Sequence, residues 1–173
     1  MGSNDDFGFE KIASTPPFNC LVHVYDHTSS PPDYEKWGLD EAKVRFFPRG
    51  LGDGGADERL VPLANMVSRL NRASGHAVVH LAKIDCEGCE FDALSDRRAV
   101  DALKNVLHLN LEVHFVIGGE ALSNEGRAAR MLGLWRTLAE GARLLPFSKE
   151  PNIQYASDCV EYAFVNEGVV VSG

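Results

Sequence analysis

Short apolar, β-branched runs alternate along the chain with longer stretches in which apolar residues recur every three or four positions, the pattern of strands joined by helices. Cys20-Leu21-Val22-His23-Val24-Tyr25 predicts a first strand that ends on Asp26, and Val44-Arg45-Phe46-Phe47 predicts a second. The stretch from His27 to Asp40 carries Ser29-Ser30-Pro31-Pro32 and reads as a loop, because proline fixes φ and lacks a ladder donor. Pro48-Arg49-Gly50-Leu51-Gly52-Asp53-Gly54-Gly55 reads as a second loop, whose glycines permit close approach of a ligand.

Leu60, Leu63, Ala64, Val67 and Leu70 then fall at helical spacing, and Gly75 stands where a helix stop is expected. Val78 to Ile84 is a strand apolar enough for a sheet covered on both faces, with Asp85 at its carboxyl end. Phe91, Leu94, Val100 and Leu103 predict a helix, and Val106 to Phe115 a strand with Glu112 and His114 near its end. Leu122 to Glu140 reads as helix, followed by strands at Arg143 to Phe147 and Cys159 to Val165. This order predicts one α/β domain over residues 1–173, a three-layer, doubly wound, mostly parallel sheet with an antiparallel closing strand.

The composition narrows the function classes. A formal net charge of −8 opposes a phosphate backbone and argues against nucleic acid as a partner. With 45% hydrophobic and 24% charged residues and no run near the roughly 20 apolar residues of a membrane span, the chain reads as soluble with no membrane partner. The polar start Met-Gly-Ser-Asn-Asp-Asp lacks the basic and apolar regions of an export signal, which makes the cytoplasm the default expectation. Cys20, Cys86, Cys89 and Cys159 are too few and too uneven for a disulfide framework, so reduced thiols are expected. Cys86 and Cys89 form a Cys-x-x-Cys pair, readable as a redox site, half a zinc site, or small residues beside a tight turn. The last is favoured, because no second Cys-x-x-Cys pair is present.

The most informative stretch is Lys83-Ile84-Asp85-Cys86-Glu87-Gly88-Cys89-Glu90-Phe91, an apolar strand stopping at carboxylates around a glycine. Open α/β sheets bind ligands beyond the carboxyl ends of their strands, which puts Asp85 and Glu87 at the expected crevice. This stretch resembles the Lys-Ile-Asp-x-Glu-Gly-x-Glu hallmark of the FkbM-like group of class I S-adenosylmethionine-dependent methyltransferases. Tyr25-Asp26-His27-Thr28 resembles that family's second-strand end, Leu111-Glu112-Val113-His114 its Glu-x-His, and Glu161 to Asn166 a closing strand of a methyltransferase-like branch. The resemblance implies a Rossmann-like fold, S-adenosylmethionine as cofactor, and a small-molecule or sugar hydroxyl as acceptor.

It also implies roles. Asp26 is expected to accept hydrogen bonds from the ribose hydroxyls, Gly52 and Asp53 to meet the adenine, Gly2 to lie in the glycine turn under the cofactor, and Asp85 to serve both cofactor and reaction. Asp85, Glu87, Glu112 and His114 are the candidate catalytic groups, with His114 or Asp85 as the base, since an oxygen nucleophile needs its proton removed. A divalent ion, magnesium or manganese, among those same four residues is a separate hypothesis. The bland readings are that Asp85 and Glu87 cap a helix, that His114 is a core histidine, and that Asp26 ends a strand in a turn.

Against the family pattern, residues 2–10 hold no first strand, which leaves a gap between the strand ending at Asp26 and that ending at Ile84. Either those strands pair directly or another segment, such as the tail at 168–173 or a strand swapped from a second copy, fills it. The competing function is a truncated, non-catalytic domain that serves as a binding module. The sequence leaves the oligomeric state open.

Overall fold

The computed structural model describes residues 5–55, 57–117, 120–152 and 159–169. Gly2 and residues 170–173 of the tail lie outside them. The chain divides into two compact units, Met1–Val61 and Pro62–Gly173.

The first unit is built on α1 (Gly8–Ser14), β1 (Val22–Tyr25), α2 (Tyr34–Trp37), β2 (Val44–Phe47), β3 (Gly50–Leu51) and β4 (Leu60–Val61). Strands β1 and β2 run parallel, with Val22 opposite Val44 and Tyr25 opposite Phe47. Strand alternation sends Val22, Val24, Val44 and Phe46 to one face, where they form a core with Phe7, Tyr34, Trp37 and Leu39. Phe7 meets Trp37 edge-on at 6.0 Å and Phe46 at 6.2 Å, a burial of the kind that contributes about 1.5–3 kcal/mol. On the other face Tyr25 stacks on Phe47 at 4.7 Å.

The stretch expected to be loop contains α2. Asp33 starts this single turn by accepting from the Lys36 N–H at 3.0 Å, and Gly38 ends it in the left-handed region with φ 63°. In the glycine-rich segment, β3 and β4 pair in parallel, Gly50 opposite Leu60. A Cβ on Gly50 would lie 2.3 Å from His27 Nδ1, and one on Gly52 would lie 2.9 Å from Leu60 Cβ. The protein's own side chains thus fill the space that a Cβ would take at both positions.

The second unit comprises α3 (Leu63–Ser74), β5 (Val79–Ile84), α4 (Glu90–Ala93), α5 (Arg97–Leu103), β6 (Val106–His114), β7 (Val116–Ile117), β8 (Glu120–Ala121), α6 (Asn124–Trp135) with a π-helical continuation over Arg136–Gly141, β9 (Leu144–Pro151) and β10 (Cys159–Asn166). As predicted, α3 stops at Gly75, which takes φ 74° while its N–H bonds the Asn71 carbonyl. The helix expected from Phe91 to Leu103 is two, because Asp96 caps a fresh start by accepting from the Arg98 N–H.

The main sheet has the order β5-β6-β10-β9. Only β5 and β6 are parallel neighbours; β10 lies between β6 and β9 and is antiparallel to both. Where a three-layer, doubly wound, mostly parallel sheet is expected, the described strands form an α/β structure whose sheets are small and mixed. A short connection such as that from β9 to β10 can join only antiparallel neighbours, and the parallel β1–β2 pair is a sheet of its own.

Alternation along β6 decides where the site lies. Leu109, Leu111 and Val113 are buried on one face, in register with Ala82 and Ile84 of β5 and Phe164 of β10. Trp135 packs on that strand, edge-on to Tyr162 at 5.2 Å and tilted on Phe164 at 5.4 Å. The opposite face carries Lys83, Asn110 and Glu161, which are exposed, yet its last two β6 positions, Glu112 and His114, are each only 8% exposed. Among the described residues no helix is long and apolar enough to cross a membrane.

Candidate functional site

Parallel pairing of β5 with β6 brings the end of one strand beside the end of the other, so Asp85, just past Ile84, faces the His114 end of β6. Beyond Asp85 the chain turns through Glu87 and Gly88, at φ 54° and 107°, and enters α4. Glu90, the first residue of α4, is fully buried. Its Oε1 lies 3.3 Å from the N–H groups of Cys86 and of Gly88, both of which donate to it, and 2.8 Å from His114 Nδ1.

That arrangement fixes the imidazole. An oxygen that accepts from two backbone N–H groups is an acceptor for the ring as well, so Nδ1 carries the hydrogen and Nε2 is turned the other way. It points towards Glu87 Oε2 at 3.4 Å and Asp85 Oδ1 at 3.9 Å. Lys83 Nζ holds the other Asp85 oxygen at 3.2 Å. Burial pushes the His114 pKa down, but the hydrogen bond and charge of Glu90, with the charges of Glu87 and Glu112, outweigh it and raise it above the ordinary histidine value.

Glu112 completes the group. Burial would raise its pKa, but hydrogen bonds from the Cys159 thiol and from Asn152 Nδ2, at 3.0 Å, together with the charges of His114 and Lys83, leave it below the usual range. The donor atoms of Asp85, Glu87 and His114 lie within 4.8 Å of one another, as do those of Glu112, His114 and Cys159.

The structure thus gathers Asp85, Glu87, Glu112 and His114 in the second unit. The other predicted residues belong to the first. Asp26 is 5% exposed and closes a tight turn: Oδ1 accepts from Thr28 N at 2.8 Å, Thr28 Oγ1 at 2.7 Å and Ser29 N at 3.0 Å, and Oδ2 from Ser29 Oγ at 2.8 Å. Asp53 is exposed and accepts from the Gly55 N–H at 2.8 Å.

The expectation of reduced thiols is corrected at one pair. Cys86 and Cys89 are joined by a disulfide across the Glu87-Gly88 turn, which brings their Cα atoms to 5.5 Å, within disulfide reach. Their sulfurs are thereby unavailable as zinc ligands. Cys20 and Cys159 are free.

A family model described as a methyltransferase domain matches residues 1–166. The chain belongs to this methyltransferase-domain family. No curated protein and no solved structure matches it. The match spans residues of both units.

In such a domain the cluster can do proton chemistry. A histidine whose Nδ1–H is tied to a buried carboxylate presents Nε2 in one orientation, the arrangement by which an imidazole accepts a proton from a hydroxyl. Glu90 is the residue that sequence reasoning passed over. Its signal was present as the last acid of the Lys83–Phe91 stretch, followed by the apolar Phe91, Ala93 and Leu94 that pull this side of α4 inward.

Proposed function

We propose that this methyltransferase domain is of the FkbM-like kind and transfers a methyl group from S-adenosylmethionine to a hydroxyl of a small molecule or sugar, with His114 as the general base. The observation that carries this reading is the 2.8 Å contact between His114 Nδ1 and the fully buried Glu90, which turns Nε2 towards Asp85 and Glu87. S-adenosylmethionine supplies an electrophilic methyl group on a positively charged sulfur. The carboxylates of Asp85 and Glu87 suit such a cation, but attraction common to ground and transition states does not itself speed transfer. The rate depends on Nε2 accepting the acceptor's hydroxyl proton as the oxygen attacks. Asp85 and Glu87 then stabilise the imidazolium, while Lys83 keeps Asp85 in place.

Asp26 is the proposed ribose ligand, with Gly52 and Asp53 as the proposed adenine contacts; Gly2, expected to contact the cofactor, lies outside the described residues. Binding there exchanges hydroxyl for hydroxyl, because Thr28 Oγ1 and Ser29 Oγ already donate to Asp26. A Rossmann-like arrangement is part of the reading, supported by the parallel β5–β6 pair that ends on Asp85 and His114.

The internal saturation of Asp26 favours one competing reading, a non-catalytic methyltransferase-like domain that serves as a binding module. Calorimetric titration with S-adenosylmethionine and its demethylated product separates the two. Saturable heat with a rise in melting temperature is expected, since a ligand that binds only the folded state stabilises it. No heat and no thermal shift at millimolar ligand leaves the non-catalytic reading standing.

A further inference from the structure

We infer that Cys86 and Cys89 form a reversible thiol–disulfide exchange site for a dithiol reductant, and that its redox state decides what His114 Nε2 faces. The inference deepens the proposed function and rests on His114 being the base of that site.

The disulfide encloses only Glu87 and Gly88. Both residues have positive φ, and for Glu87 this is a conformation that L side chains rarely adopt. The Glu87 side chain is 84% exposed, yet its Oε2 stands 3.4 Å from His114 Nε2. An exposed glutamate on a free loop would spend its time in water. Here the crosslink holds the turn that carries it, and so holds a carboxylate against the nitrogen that must receive a proton. The charge of Glu87 is among those that raise the His114 pKa.

A second contact ties the sulfur to the other ring nitrogen. Cys86 Sγ lies 3.6 Å from Glu90 Oε1, the oxygen that also meets His114 Nδ1. In the disulfide that sulfur has no hydrogen to donate. As a thiol it can donate to Glu90, so reduction changes the surroundings of both nitrogens. Both cysteines are partly exposed, which gives a reductant access.

The exchange balances without a further reactant. One thiolate of the dithiol attacks a sulfur of the pair, the S–S bond breaks, and the released cysteine takes a proton. The second thiol of the reductant then resolves the mixed disulfide. Two electrons and two protons end on Cys86 and Cys89, and the dithiol leaves as its own disulfide. In the oxidised form Glu87 stands against Nε2 and stabilises the protonated imidazolium; in the reduced form the turn is released and that stabilisation is lost. The charged and titratable groups around the ring are Lys83, Asp85, Glu87, Glu90, Glu112 and Cys159.

The test uses the full chain with and without dithiothreitol, and needs no cofactor. Native-state alkylation read by mass is expected to move from Cys20 alone to Cys20, Cys86 and Cys89, with folding retained. The His114 ring resonance, titrated by NMR, is expected to shift its midpoint down by about one pH unit on reduction, the scale of removing one nearby carboxylate. Glu87→Gln in the oxidised protein should give the same fall and no further response to dithiothreitol. A Cys86→Ser, Cys89→Ser double variant should titrate like the reduced protein in either condition. Reduction that occurs only on unfolding, or an unchanged His114 midpoint after reduction, overturns the inference. Failure to bind S-adenosylmethionine would instead remove the methyl-transfer reading and leave these readouts as they are.

Discussion

Cys159 stands directly across the antiparallel ladder from His114, so a thiol and an imidazole occupy one rung where β6 ends and β10 begins. Burial, the hydrogen bond to Glu112, and the charges of Glu112, Glu87 and Asp85 push the Cys159 pKa up to about 12. The thiolate, not the thiol, is the nucleophile. In the native oxidised protein iodoacetamide is therefore expected to modify the exposed Cys20 and spare Cys159 up to pH 9, as read by mass spectrometry. Modification of both at equal rates would place Cys159 in a different environment.

The pH dependence of turnover follows from His114. Its folded pKa lies above the ordinary value because Glu90, Glu87 and Glu112 outweigh burial. A protonated base accepts nothing, so the methyl-transfer rate should rise with pH through a midpoint above roughly 6.5, the free-histidine value. Stability runs the other way. A group whose pKa is raised on folding stabilises the fold fully below its unfolded value and loses that contribution as pH rises through the folded one. Paired rate and melting measurements should show opposite trends across this window, and both should flatten in His114→Gln.

Glu90 gives the largest expected effect on the fold. Its Oε1 meets two backbone N–H groups and the imidazole from a fully buried position. Removing one partner of a buried charged pair costs about 3–5 kcal/mol, so Glu90→Ala should unfold at distinctly lower denaturant. Glu90→Gln keeps the shape but loses the charge, and should lower kcat about 10- to 100-fold with little change in KM. Its pH–rate midpoint should also fall, which a merely structural role would not produce.

A metal-free reaction is the expected outcome of chelation. Lys83 already occupies one oxygen of Asp85, and an ion bound to Nε2 would remove the base. Exhaustive chelation should leave turnover unchanged. Loss of activity restored by magnesium or manganese would instead make Asp85, Glu87 and His114 a metal centre.

Much of this architecture was legible because it is local. Gly75 stops α3 where glycine is needed for a left-handed cap, and the apolar runs at Val79–Ile84 and Val106–His114 are strands. The acid-rich end of β5 and the Glu112-His114 pair were likewise found by position. What stayed hidden depends on contacts between distant residues. Glu90 reaches a partner 24 positions away. The antiparallel place of β10 between β6 and β9 is set by strand pairing rather than by its own pattern. The hydroxyls of Thr28 and Ser29, which use up Asp26, leave no mark on the periodicity from which strands are read.

The chain's two tryptophans fall one to each unit, Trp37 against Phe7 and Trp135 against Tyr162. Intrinsic fluorescence is thereby an address label as well as a signal. With Trp37→Phe the emission comes from the larger unit alone, and with Trp135→Phe from the smaller. Denaturation followed through each in turn would show whether the polypeptide melts in a single cooperative step or in two.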